Sequence, residues 1–313
     1  MWHYLLGVIY IFLGFFSVTG NGLVVYLYTK SKALKTPANL LVVNLALSDL
    51  IMLTTNFPIF AYNCFSGGMW MFSARYCEIY ACLGAVTGVC SIWTLGMISW
   101  DRYNIICNGF NGPKLTMGKA VGMCAFCWLM AIGWAVPPFF GWGKYIPEGI
   151  LDSCSYDYLT MDFSTRSYNM CIFIFDFFLP AGIIIISYVF IVKAIYAHEE
   201  AMRAQAKKMN VTNLRSNEAD SQRAEIRIAK TAIANVSLWV ICWTPYAAIT
   251  IQPSLPSLPR VTTPSSMLSA TRSSDWPSPN EHMPWFCVHE VDNKTGGSSA
   301  GDDKSTVTAS EKS

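Results

Sequence analysis

The sequence predicts an all-α membrane protein, and three observations predict it. Only 13% of its 313 residues are charged while 53% are hydrophobic, against about 25% charged in an ordinary soluble domain. Six apolar runs are each long enough to cross a hydrocarbon core about 30 Å thick at about 1.5 Å per residue. The connections between them alternate between more and less basic.

The first run, 4–28, has an apolar core too long for a signal peptide and no small-residue cleavage site after it, so it reads as an anchor. The others span 38–61, 78–100, 120–140, 168–193 and 228–251. Each has to be helical, because lipid offers no partner to unpaired backbone groups. The first connection carries Lys30, Lys32 and Lys35, the third Arg102, Lys114 and Lys119, and the fifth, 198–227, is the most basic. By the positive-inside rule those three face the cytoplasm, and the second and fourth connections lie outside with the N-terminus. The net charge of +2 averages two solvents and identifies no partner.

No soluble domain and no long internal repeat interrupts this pattern. The fifth connection is rich in Ala, Arg, Glu and Gln, good helix formers, and should extend spans five and six as helix. It is either a solvated linker or a docking surface. The Ser/Thr-rich tail is too polar to build a core. Most of the eleven cysteines, including Cys82, Cys90, Cys124, Cys127, Cys171 and Cys242, fall in apolar runs, where free cysteine behaves as a small hydrophobe. Cys77 and Cys154 fall in connections expected outside, where oxidation is possible, with Cys64 as a competing partner.

Intramembrane polar groups are expensive and each asks for a reason. Asn21 in "TGNGLVV" and Asp49 in "NLALSDL" read equally as a structural hydrogen-bond knot or as an ion or switch site. "WDRYN" sets Asp101 beside Arg102 at the inner end of span three, by itself an interfacial ion pair. Pro180 and Pro245 each remove a backbone hydrogen bond inside a span and favour a kink. The sequence shows no nucleophile and base pair and no metal-ligand set, which speaks against an enzyme. Neither inverted repeats nor a charged pore stripe is visible, which speaks against a six-helix channel or transporter.

Together, GN in span one, NLALSD in two, Cys77 before three, DRY at its inner end, Trp128 in four, Pro180 in five and CWTPY in six resemble the rhodopsin class of G-protein-coupled receptors. Within it, "PEGILDSCSYDY", "AHEEAMRAQAKKMNV" and "AEIRIAK" are similar to invertebrate visual opsins, most nearly crustacean compound-eye opsins, over residues 2–251 and again from "MPWFCVHE". The resemblance implies a rhodopsin-like seven-helix bundle, 11-cis-retinal or a close variant as cofactor, and signalling through a heterotrimeric G protein, of Gq class, with arrestin as a further partner. It implies a rhabdomeric plasma membrane as location.

It also implies roles for residues. Cys77 would pair with Cys154. Glu148 would be the counterion of the protonated Schiff base, with Tyr80 standing where vertebrate opsins have a carboxylate. Trp243 and Tyr246 would line the retinal cavity. Arg102, in the Asp101-Arg102-Tyr103 motif, would pair with Asp101 and with Glu225 and release when span six moves. Asn21 and Asp49 would belong to the same switch. A receptor of this class for a diffusible ligand is the alternative reading.

An opsin also needs a lysine in a seventh helix, followed by NP-x-x-Y, and no apolar run follows residue 251. Instead 252–280 is a Pro/Ser/Thr-rich stretch. Read one base out of frame from Ser254, synonymous codons can spell "PAVFAKSYNPVIYAISHPKFRLAL". The single codons of Met267 and Trp276 each end in G, which restricts the next shifted residue to Ala or Val and to Ala respectively, and the alanine this string requires is allowed at both. The lysine and the NP pair fall closer together than the family pattern, so small deletions must accompany the offset. The expectation is therefore a bundle with six helices in frame (1–251), a scrambled seventh (252–280) and a disordered cytoplasmic-type tail (281–313). Such a chain would not hold retinal covalently. Met1 is expected to be an internal methionine of a longer protein.

Overall fold

The computed structural model describes residues 2–108, 112, 114–148 and 151–209, with Ala234, Ser237, Ile241 and Thr244. All of these lie in one compact unit, Met1–Asp275. Five helical spans among the described residues are long and apolar enough to cross a membrane. The sixth expected run, apart from the four helical positions just named, and everything from 252 onward lie outside the described residues.

Span one is α1, Trp2–Lys30. Span two is α2, Pro37–Thr55, and resumes after Asn56 as α3, Phe57–Phe65. Thr36 starts it, its hydroxyl accepting from the Asn39 N–H at 3.3 Å, and Pro37 occupies the first turn. There its missing N–H costs nothing and its fixed φ suits the helix. Pro58 plays the same part in α3, so the break at Asn56 divides one membrane span into two helices.

Span three is α4, Ala74–Asn108, the axis of the bundle, packed against α2, span four and span five. Span four is α5, Met117–Ala135, capped by Thr116 and ended by Pro137 and Pro138 in a 3-10 turn. Span five is α6, Phe163–Ile172, a π turn over Phe173–Phe178, and α7, Leu179–Met209. The π turn lies just before the buried Pro180. Proline has no N–H for the ladder, and a local π turn redistributes the bonds it breaks. The kink expected at Pro180 thus takes the form of a widened turn.

Helix ends run past the apolar runs, most of all in α7. Apolarity marks the lipid thickness, whereas backbone hydrogen bonding continues wherever helix formers follow.

Between spans four and five the chain forms β1, Tyr145–Glu148, and β2, Ser153–Tyr156, an antiparallel hairpin the all-helical expectation did not contain. Both strands pack against α4. The chain enters the hairpin through Gly143, whose φ of +82° suits glycine and whose missing Cβ leaves room for the Tyr168 ring.

Candidate functional site

At the hairpin end of α4, Cys77 is bonded to Cys154 of β2, with Cα atoms 5.6 Å apart. The competing Cys64 remains a buried free thiol. Opposite Cys154 in the register stands Pro147, and next to it Glu148 pairs with Ser153. The bridge therefore fixes the strand carrying Glu148 against the first turn of α4.

Tyr80 lies one turn further along α4 and is buried, its ring edge-on to Trp70 at 5.1 Å. Glu148 is close enough to act electrostatically on Tyr80 and on Tyr158. In the loop after β2, burial, then Glu148, then Asp157 push the Tyr158 phenol up. The structure thus brings Glu148 and Tyr80 together.

It adds a residue the sequence did not single out. The Asn56 side chain, at the break in span two, donates to the Tyr80 carbonyl at 3.1 Å and accepts from the Thr55 hydroxyl at 3.0 Å. A cavity of about 290 Å³ beside these residues is lined by Thr55, Asn56, Tyr76, Tyr80 and Leu83. The sequence reads 38–61 as one run, so the break that sets Asn56 apart comes from the structure.

In mid-membrane, Asp49 accepts from the Ser91 hydroxyl at 2.9 Å, and Ser91 also shares a bond with Ser48 at 2.8 Å. Asn21 donates to Ser17 of its own helix at 3.1 Å. No bond between Asn21 and Asp49 is present among the described residues. A second polar knot joins three spans: Trp128 donates to Asn44 at 2.9 Å, and Asn44 donates to Thr94 at 2.8 Å.

At the opposite end of α4, Arg102 donates to the Asp101 carboxylate at 2.8 Å, with both side chains nearly buried. Tyr103 sets its ring tilted against Trp100 and edge-on to Phe190. A cavity of about 240 Å³ beside them is lined by Thr36, Asp101, Asn104, Lys114 and Leu115. Glu225, Trp243 and Tyr246 lie outside the described residues.

The two ends thus differ in kind. One carries a carboxylate on a disulfide-held hairpin within electrostatic reach of the buried Tyr80. The other holds a nearly buried ion pair, suited to opening.

Comparisons with known proteins bear on the family and the fold. The model for "7 transmembrane receptor (rhodopsin family)" matches residues 20–275. The chain is 70% identical to compound eye opsin BCRH1 of Hemigrapsus sanguineus, over 93% of this chain and 82% of that one. It is 67% identical to compound eye opsin BCRH2 of the same crab, over 96% and 84%. A crystal structure of squid rhodopsin superposes with a TM-score of 0.71 at 40% identity, covering 81% of this chain and 72% of that one.

Proposed function

The chain belongs to the rhodopsin family of seven-transmembrane receptors and, within it, to the invertebrate visual opsins, and from that premise we propose that its bundle is built for 11-cis-retinal or a close variant and for a Gq-class G protein. Membership makes it a multi-pass membrane receptor that works with a heterotrimeric G protein, and not an enzyme. The finer reading rests on one observation above the rest: the disulfide between Cys77 and Cys154 sets the Glu148 strand beside Tyr80.

When bound, retinal supplies a polyene that isomerises in light and a cationic nitrogen at its attachment point. A cation buried away from water stays charged only beside an opposite charge, and Glu148 offers one, within electrostatic reach of Tyr80. The described residues at this end fit the group, while the lysine that would carry it has no in-frame counterpart in 252–280. Trp243 and Tyr246 are assigned to the rest of the cavity.

At the other end, Asp101, with Glu225, holds Arg102 in the resting state. Release of that pair opens a groove for the G protein, and arrestin competes for the same face. Asp49, through Ser91, and Asn21 belong to the path between the two ends. Two forms of a ligand shift such an equilibrium only by binding its states unequally. The hairpin and the N-terminus face outside in a rhabdomeric membrane. Residues 1–251 form the receptor domain, 252–280 a scrambled seventh helix and 281–313 a cytoplasmic-type tail.

Expression with 11-cis-retinal tests the reading. The chain as written should give no borohydride-reducible adduct and no visible band. A chimaera carrying the seventh helix of the crab relative in place of 252–280 should give both, and E148Q in that chimaera should move the band toward the ultraviolet at neutral pH. An adduct in the chain as written overturns the scrambled helix. An unmoved band in E148Q overturns the counterion.

A further inference from the structure

The hairpin carrying Glu148 has only four residue pairs, Tyr145↔Tyr156 through Glu148↔Ser153, and an isolated two-stranded hairpin is at best marginally stable. A carboxylate that must face a fixed cation needs its strand held from outside. Three anchors hold the base and the middle. The Tyr145 hydroxyl donates to the Ala135 carbonyl at 2.7 Å, the Asp157 N–H donates to the Lys144 carbonyl at 2.9 Å, and the disulfide grips Cys154.

The tip is a different matter. Leu151 sits there with φ +71°, the one non-glycine residue at positive φ among the described residues, and its N–H closes the turn onto the Glu148 carbonyl at 2.9 Å. A left-handed leucine persists only where its surroundings over-determine it.

What grips the tip is Asn63, near the end of α3. Its side-chain amide is fully buried and donates to the Asp152 carbonyl at 2.9 Å. Asp152 is itself only 3% exposed and lies between Leu151 and Ser153, the register partner of Glu148. The Asn63 side-chain oxygen accepts from the Met71 N–H at 3.4 Å, and its backbone carbonyl accepts from Ser66 and Gly68 at 3.2 and 2.9 Å. One side chain thus joins the loop after α3 to the hairpin tip. The Cys64 thiol adds a weak contact to the Asp152 carboxylate at 3.9 Å.

We propose that Asn63 is a positioning residue for Glu148, holding the hairpin tip so that the carboxylate keeps a fixed place beside Tyr80. The proposal rests on the reading of Glu148 as the carboxylate that faces the ligand's cation, but it concerns the protein without ligand.

The test is amide hydrogen exchange of the full chain in lipid nanodiscs, comparing the parent with N63D and N63A. Aspartate keeps the shape of asparagine and can still accept from Met71, but when ionised it cannot donate to Asp152. N63D should therefore speed exchange at Leu151 and Ser153 about fivefold, the worth of one ordinary net hydrogen bond, and leave Met71 slow. N63A should speed both sites. Carbodiimide coupling of Glu148 should rise in both variants while that of the part-exposed Glu78 stays constant. Hairpin exchange unchanged in N63A, which has no donor at any pH, overturns the proposal. So does loss of protection throughout α4 and α5 in N63D, N63A and N63S alike, because Asn63 would then support the bundle and not the tip. Neither result touches the retinal reading, which the E148Q chimaera decides separately.

Discussion

The indole N–H of Trp128 on span four meets the side-chain oxygen of Asn44 on span two at 2.9 Å, and the Asn44 amide passes on to Thr94 of span three at 2.8 Å. One carboxamide is therefore both acceptor and donor between three helices, in a region where water is scarce. N44A should lower unfolding stability in detergent by about 1–2 kcal/mol, because the Trp128 donor is left unpaired. Thr94 keeps its own bond to the Cys90 carbonyl at 2.7 Å, so T94V should cost less than N44A in the same melt.

The Cys77–Cys154 bridge spans 77 positions of sequence and ties two segments that would otherwise meet only through packing. Chain-entropy reasoning sets its worth at roughly 4 kcal/mol at most. C77S and C154S should each lose much of that, and the double variant no more than either single one. C64S should leave the bridge intact, with blocking of unreduced, unfolded chain labelling Cys64 in the parent but neither Cys77 nor Cys154. A Cys64 that resists labelling would mean a different pairing.

Much of this could be read from the amino acids, for physical reasons that also explain what could not. Apolar run length is set by lipid thickness, so the spans announce themselves. The helix starts at Thr36 and Thr116 lie a few residues before the apolar runs at 38 and 120, because a cap is set by hydrogen bonding and not by apolarity. Asp101 and Arg102 are neighbours in the chain, so their ion pair needs no fold.

The hairpin was invisible because "YIPE" and "SCSY" are short and lack the alternation of a two-sided strand; the disulfide and α4 make them strands. Asn56 and Asn63 look alike in sequence, two asparagines in an apolar stretch. Only the packing shows that one serves Tyr80 and the other Asp152. Asp49 signalled itself by its cost in lipid, yet nothing before the fold named Ser91 as its partner.

Asp162 caps α6, accepting from the Thr165 N–H at 3.2 Å. Its bonds to Thr165 hold its carboxyl below the usual aspartate value, so the folded chain binds this proton less readily than the unfolded chain. The stabilisation is then fully present above the unfolded value and is lost as pH falls through the folded one. D162A should cost about 1 kcal/mol or less at neutral pH, the low end for an exposed cap. D162N should keep most of the cap and remove its acid dependence, which melts at neutral and acid pH will compare.

Asp176 lies within the π turn of span five and is only 6% exposed, and among the described residues neither carboxyl oxygen closes a hydrogen bond of good geometry. The indole N–H of Trp93 on α4 is directed toward it and, among the described residues, meets no acceptor at good geometry either. Burying a polar group without compensation destabilises a fold, and replacing it with an apolar group of similar size can restore stability. D176V should accordingly raise the melting temperature, by an amount equivalent to about 1–3 kcal/mol. D176N carries the same polar burden and should change it little. If D176V instead melts lower than the parent while D176N does not, the carboxyl site is contributing packing or bonding that outweighs its desolvation, and the π turn would owe its place to Asp176 as much as to Pro180.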